Sequence, residues 1–317
     1  MGRTPRVESR ADFRRFIPAP FRSVLLISAD FELAWGPRYA KSAGDPLAFA
    51  LQKARQERAN ISPILALTEK YGIPITWAAV GHLFLDSCRP AGGKKHAEIP
   101  KVPTYKGPFW DFSGDDWFEH DPCADYRSRP EWYAPDLIRL ILDSPAGHEI
   151  GCHTFSHIDC RDAACPPELL KAELRACKAL ASQWGLTLRS FVHPGHTIGN
   201  LDVLKAEGFT SFRTDYRNVL GYPKRHDSGL WEFEQTAEFA FRKEWPASYH
   251  ASRYIRILKR AIASNTVCVC WFHPSFDPII VEKVWPEVFR FLDNHRDEIW
   301  IGTHQAYVDF LEQHHWL

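Results

Sequence analysis

The sequence predicts a single α/β domain, with a parallel sheet closed into a (β/α) barrel of seven or eight units. Three observations carry this. Apolar runs of strand length alternate with helical patterns almost from end to end, as in a mainly parallel sheet covered by helices. Seven or eight such units fit within 317 residues, enough to close a ring. No Gly-rich phosphate loop follows an early strand, which counts against an open nucleotide-binding sheet.

The strands are expected at 23–29, 73–80, 148–152, 188–192, 209–213, 230–234, 266–272 and 298–301. Helices are expected at 63–71, 135–143, 167–184, 201–207, 249–264, 281–295 and 304–316. Ser62-Pro63 reads as a helix start, a cap residue before proline at the first helical position. Gly72, Gly185 and Gly208 each read as a helix end before the next strand. Residues 1–22 form a polar, basic N-terminal extension and 23–317 the barrel. Within it, 86–130 is irregular and rich in Pro, Gly, Lys and aromatics. Irregular stretches of that length are commonly functional loops. Trp110, Trp117, Phe109 and Phe112 there would either cap a substrate or pack as a cluster on the barrel flank.

Composition narrows the function. Lys plus Arg (39) equals Asp plus Glu (39), so nothing electrostatic points to nucleic acid or an anionic membrane surface. No signal-peptide core opens the chain, and no run approaches the roughly 20 apolar residues of a membrane span. A soluble, cytoplasmic protein is expected, with homo-oligomerisation left open. The eight cysteines show no CxxC pair and no regular framework, which argues against a structural zinc site or a disulfide scaffold. Cys268 and Cys270 alternate along an apolar strand and should be buried on one side of it.

In a (β/α) barrel, strand C-termini carry the active site. Here they end in Asp30-Phe31-Glu32, His82, His153 with His157 four residues on, His193-Pro-Gly-His196, Asp215 and His273. Six strand ends thus bring ionisable or metal-binding groups to one face. His153 and His157 reach one cation if the turn between them is helical, and imidazole suits zinc and related divalent metals. Asp30 and Glu32, two apart in a continuing strand, project to the same side. One can bind metal while the other takes a proton from the attacking water. His273 ends an apolar strand where an imidazole can protonate a leaving amine. Asp215 either bonds to that imidazole or pairs with Arg213 or Arg217. Gly195 offers a backbone N–H to an oxyanion. His148 and Glu149 lie earlier in their strand, to pack or to orient a ligand.

At these residues the sequence resembles the polysaccharide deacetylase family, the NodB-like carbohydrate esterases, over roughly residues 24–308. Ser28-Ala-Asp30-Phe-Glu32 is similar to the first family motif in an Asp-x-Glu form, and His153-Thr-Phe-Ser-His157 to the second. Phe191-Val-His-Pro194-Gly resembles the third, Thr214-Asp215-Tyr the fourth and Trp271-Phe-His273 the fifth. The resemblance implies a distorted (β/α) barrel of the NodB-homology type. It also implies a divalent metal, most readily Zn²⁺, held by His153, His157 and Asp30 or Glu32. The other carboxylate would then be the base and His273 the acid. The common first motif has adjacent aspartates, whereas Phe31 separates Asp30 from Glu32, so their roles stay open. The third motif usually carries an arginine that orients the base. Here no arginine lies closer than Arg189, and His193 or His196 would substitute.

The expected activity is metal-dependent hydrolysis of an acyl C–N bond, most simply N-deacetylation of an acetamido sugar or a related small soluble substrate. Trp110, His193, Gly195 and His196 would contact that substrate. The rivals are a metal-independent, allantoinase-like hydrolase of cyclic amides and a catalytically silent sugar-binding barrel.

Overall fold

A computed structural model describes residues 4–41, 43–107 and 110–314. Its parallel sheet contains β1 (Ser23–Phe31), β2 (Thr76–Ala79), β3 (Glu149–Cys152), β4 (Ser190–Val192), β5 (Ser211–Tyr216), β6 (Trp231–Gln235), β7 (Val267–Phe272) and β8 (Ile299–Gly302). Every expected strand is present, several with shifted ends.

Pairing runs β6-β5-β4-β3-β2-β1-β7. β1 is shared at its second edge: its first half pairs with β8 (Ser23↔Ile299) and its second half with β2 (Ser28↔Thr76). After β6 the chain continues into Ala237–Glu238, which pairs with β7 (Ala237↔Cys270). One run of backbone thus joins β5 to β7 and draws the sheet's two ends together. This is a distorted (β/α) barrel.

The helices lie outside the ring: α1 (Pro46–Tyr71), α2 (Pro135–Asp143), α3 (Pro167–Gln183), α4 (Leu201–Ala206), α5 (Ala247–Ser264), α6 (Trp285–Asp293) and α7 (His304–His314). Gly72, Gly185 and Gly208 all have positive φ (53°, 72° and 91°) where helices end. The expected start at Ser62-Pro63 is corrected. α1 begins at Pro46, where Asp45 caps by accepting the Ala48 N–H at 3.0 Å. Pro63 lies inside that helix. The same cap-then-proline signal occurs twice, and the earlier copy starts the helix. The expected 281–295 helix opens as a π-turn over Ile280–Val284 before α6. The last residues of the expected 304–316 helix lie outside the described residues.

Side-chain alternation sorts β1 into two faces. Leu25, Ile27, Ala29 and Phe31 join the large core under the helices. Val24 and Leu26 pack inside the ring with Val267, Val269, Trp231 and Phe233. Ser28 and Asp30 share that inner parity one and two steps further on. The barrel is therefore apolar at its floor and polar at its mouth. Residues 1–22 are more than an extension. Arg6–Val7 pairs with Val219–Leu220, and Phe16 and Ile17 are buried in the inner cluster, where Phe16 O accepts the Tyr307 hydroxyl at 2.7 Å.

All eight cysteines are free thiols, and Cys268 and Cys270 are buried with sulfurs 3.7 Å apart. Among the described residues no helix is long and apolar enough to cross a membrane.

Candidate active site

The barrel mouth opens into a cavity of about 1090 Å³ lined by Asp30, Glu32, His157 and His273, with Trp110 and Trp271 among its aromatic walls. β1 continues just far enough to deliver Asp30 and Glu32 there, and both are buried.

Glu32 is the centre of a three-residue group. Its Oε1 lies 3.1 Å from Nε2 of His153 and 3.1 Å from Nε2 of His157. His153 Nδ1 donates to the Val192 carbonyl at 2.8 Å. That acceptor fixes the tautomer, so a neutral His153 turns a lone pair, not a proton, toward Glu32. A lone pair and a carboxylate at this distance need either a second proton on the ring or a metal ion between them. Tetrahedral bonds of about 2.0–2.1 Å place neighbouring ligand atoms about 3.3 Å apart. The 3.1 Å contacts fit such a site. Burial lowers the His157 pKa, with Glu32 opposing. Burial pushes Glu32 up, but the surrounding imidazoles, His157 first, hold it well below the usual carboxylate range.

The turn between the two histidines is not the helical one that their spacing suggested. It is an irregular bend with Thr154 at φ 58° and His157 at φ 60°. Side chains around Ser156 hold it instead. Glu173 of α3 accepts the Ser156 N–H at 2.8 Å and hydroxyl at 2.6 Å. The Ser156 carbonyl accepts from Trp117 Nε1 at 3.0 Å and from Arg38 at 3.0 Å.

Asp30 forms a second close group with Glu32 and His273, their ligand atoms within 4.8 Å of one another, but its hydrogen bonds go to an arginine. Both of its oxygens accept from Arg213, at 2.6 and 2.6 Å, and Arg213 also reaches Ser28 at 2.9 Å. Burial raises the Asp30 pKa most, but the charge and hydrogen bonds of Arg213, with the nearby His153 and His273, together turn the net shift downward. Arg213 lies under Trp271, its guanidinium 4.8 Å from the ring centroid. It comes from β5, just before the motif-like Thr214-Asp215-Tyr segment.

His273 Nε2 lies 3.7 Å from Glu32 Oε1. Burial would lower its pKa, but Glu32, Asp30 and Glu238 together raise it to about 9. With no cation at the mouth, those carboxylates favour the protonated ring at neutral pH.

Gly195 and His196 line the cavity. Gly195 has φ 53°, and a Cβ there would come within 2.4 Å of the Trp110 ring. Trp110 also meets His157 edge-on at 4.8 Å. Within residues 86–130, Trp110 reaches the cavity wall, while Phe112 and Trp117 are buried. Phe109 lies outside the described residues.

Other expected residues go elsewhere. His193 is buried between Phe191 and Phe212, its Nε2 3.2 Å from the Gly199 carbonyl. Burial lowers its pKa to about 3, so it fills core and does not line the cavity. His82 turns to the barrel flank. His148 Nδ1 accepts the Ile75 N–H at 3.0 Å, and Glu149 accepts from Thr76 at 2.8 Å, both away from the mouth. Asp215 lies in β5, and its side chain is outside the described residues. Sequence reasoning missed Arg213 as the partner of Asp30, and missed Glu57 and Glu238. Glu57 accepts the Glu32 N–H at 3.0 Å, and burial, reinforced by Glu32, raises its pKa to about 8.

Compared by sequence, the chain matches no family model and no curated protein. Compared by structure, it is similar to two provisionally named polysaccharide deacetylases. The one from Mycobacterium smegmatis superimposes with a TM-score of 0.62 at 12% identity, over 94% of this chain and 92% of that one. The one from Pseudomonas aeruginosa PAO1 gives 0.61 at 14%, over 96% and 95%. Puue allantoinase gives 0.62 at 13%, over 94% and 93%. The fold is that of the polysaccharide deacetylases. Identities this low speak to fold alone, so chemistry rests on the residues at the mouth.

Proposed function

We propose that the chain is a metal-dependent hydrolase of acyl C–N bonds, most simply an N-deacetylase of acetamido sugars or related small amides. The observation that carries this is the convergence of Glu32, His153 and His157 on one point, with His153's proton committed to a carbonyl. These three residues would hold the ion, and the donor set suits Zn²⁺. When bound, the ion supplies Lewis acidity, making water easier to deprotonate and a carbonyl easier to attack.

The chain's own groups divide the proton work. Asp30, kept ionised by Arg213, accepts the proton of the attacking water. His273, whose protonated ring the nearby carboxylates favour, gives a proton to the departing amine. The Gly195 backbone N–H, at the cavity wall, is available to the developing oxyanion. Trp110 and Trp271 offer flat faces to a sugar ring or an acyl group. This assignment makes Glu32 the metal-binding carboxylate and Asp30 the base.

The test is acetate release from N-acetylated mono- and oligosaccharides by purified protein, with metal content measured on the same sample. Turnover that vanishes on chelation and returns with Zn²⁺ supports the reading. Full turnover in a metal-free protein sinks it.

A second reading starts from the 3.1 Å contact of His157 with Glu32, which a hydrogen bond also accounts for, and takes an allantoinase-like course. In that reading the same pocket opens a small cyclic amide without a cation, and His157 donates to Glu32. Hydrolysis of a cyclic ureide by metal-free protein, with no acetate released from any acetamido sugar, selects it.

A further inference from the structure

His82 leaves β2 in a short 3-10 turn (Gly81–Phe84), and its ring is buried on the barrel flank. Three side chains from the irregular 86–130 segment gather at its Nε2. Asp121 Oδ2 lies 3.1 Å from His82 Nε2, 2.8 Å from His96 Nε2 and 3.4 Å from Cys88 Sγ. One ligand atom from each of the four residues lies within 4.8 Å of the others.

Proton accounting at His82 calls for a cation. Its Nδ1 faces the Trp132 carbonyl at 3.2 Å, which can only accept, so Nδ1 carries the hydrogen. A neutral ring then aims a bare lone pair at Asp121. The other Asp121 oxygen already accepts the Cys123 N–H at 2.9 Å and the Tyr133 hydroxyl at 3.0 Å. Two electron-rich atoms at 3.1 Å need either a second proton on His82 or a metal ion between them. His96 Nε2 and Cys88 Sγ bring two further donor atoms to the same carboxylate oxygen. The 3.1 Å and 3.4 Å separations lie close to those of a zinc site, while the 2.8 Å at His96 would lengthen on binding. Bonds of about 2.0–2.1 Å to nitrogen and oxygen and about 2.3 Å to sulfur give tetrahedral edges of about 3.3 Å and about 3.5 Å.

We propose that His82, Cys88, His96 and Asp121 bind one zinc ion in a closed four-ligand site that pins the 86–130 segment to the barrel. Two imidazoles, a thiolate and a carboxylate are a zinc donor set, and four protein ligands leave no position for substrate. Cys88 releases its thiol proton to solvent as it binds. Cysteine spacing gives no signal of such a site, because Asp121 lies 25, 33 and 39 residues from His96, Cys88 and His82.

The surroundings suit a structural ion. The His82 ring packs against Trp35 and Tyr133, with centroids 4.4 and 4.8 Å away, and His96 against Phe118 at 4.7 Å. Lys95 gathers the carbonyls of Phe118, Glu119 and Asp121 at 3.0, 2.9 and 2.7 Å, closing the loop beside the ligands. The site also braces the mouth. Gly81 N donates to Thr154 O at 2.8 Å and His82 N to Phe155 O at 3.0 Å. Both acceptors lie in the bend that carries His153 and His157.

The deciding experiment grows the full chain with Co²⁺ in place of Zn²⁺ and reads its absorption. Only the flank site contains sulfur, so a thiolate-to-cobalt charge-transfer band reports it whatever the barrel mouth holds. The band is expected in the wild type, in Cys123→Ser and in the His153→Ala/His157→Ala double variant, and is expected to vanish in Cys88→Ser. Zinc-grown His153→Ala/His157→Ala should still carry about one zinc per chain, as a closed structural site does. If Cys88→Ser fails to fold, the wild-type band and this zinc content still decide. Absence of the band from the wild type, its survival in Cys88→Ser, or a zinc-free double variant overturns the proposal.

Discussion

Glu32 at the barrel mouth and Asp121 on the flank each face two imidazoles at 2.8–3.1 Å. Glu32 has three protein donors in its group and borders a cavity; Asp121 has four and lies among aromatic rings. Metal sites with three protein ligands and an open position do chemistry, whereas sites closed by four hold structure. If both hold metal as proposed, two clusters built from nearly the same residue types have different uses. Donor count and access separate them.

The largest effect should come from taking a ligand out of the mouth. His157→Ala should cost far more than the roughly 10²–10³ lost with a single oxyanion donor. It should also lower zinc content by one equivalent and leave the flank's thiolate band intact. If zinc content and turnover both survive His157→Ala, the three-residue group is a hydrogen-bonded cluster and the contrast with the flank disappears.

Asp30→Asn should come next, lowering kcat by about 10²–10⁴ with zinc retained. Arg213→Met should show why Asp30 stays ionised. Breaking a buried ion pair strands the remaining charge and costs about 3–5 kcal/mol, which denaturant titration would read. Zinc loss in Asp30→Asn with retention in Glu32→Gln would exchange the two carboxylate roles.

His273 tests the leaving-group end. As the acid it must hold a proton, so activity should fall as pH rises through its pKa. Glu238 is one of the carboxylates that raise that pKa. Glu238→Gln should therefore move the alkaline limb to lower pH. An ion at the mouth acts on both enzymes alike, so the difference isolates Glu238. His273→Ala should slow amides by about 10²–10⁴ and activated esters, whose leaving groups need little protonation, much less. Equal losses on amide and ester would make His273 a positioning residue.

How much of this the sequence discloses differs between the same two regions. The strands were legible because their apolar runs are long and bounded, and the mouth because barrel strands end there. His153, His157, Asp30, Glu32 and His273 all follow from that rule. Arg213 was within reach too. It alternates with Phe212 in β5, and an arginine at an inward position needs a buried anion. The flank site was not legible. Its ligands come from a strand end and an irregular loop without periodicity, and only the folded path of residues 86–130 brings Cys88, His96 and Asp121 to His82. His193 shows the opposite failure. Position after a strand suggested function, but packing between Phe191 and Phe212 decided its role.

The smallest expected effect lies where the two regions meet. Trp110 belongs to the 86–130 segment, yet its ring lies against Gly195 and meets His157 at 4.8 Å. It lines the cavity without belonging to the three-residue group or to the proton-transfer groups. Its contribution should be that of an aromatic contact to bound substrate, about 0.5–1.5 kcal/mol. Trp110→Ala should then raise KM by roughly 2- to 13-fold, leave kcat nearly unchanged and keep zinc content as it was. Such a split would mean that the loop pinned at the flank supplies binding surface while the mouth supplies chemistry. A fall in kcat as large as the rise in KM would give Trp110 a second task, holding His157 in place.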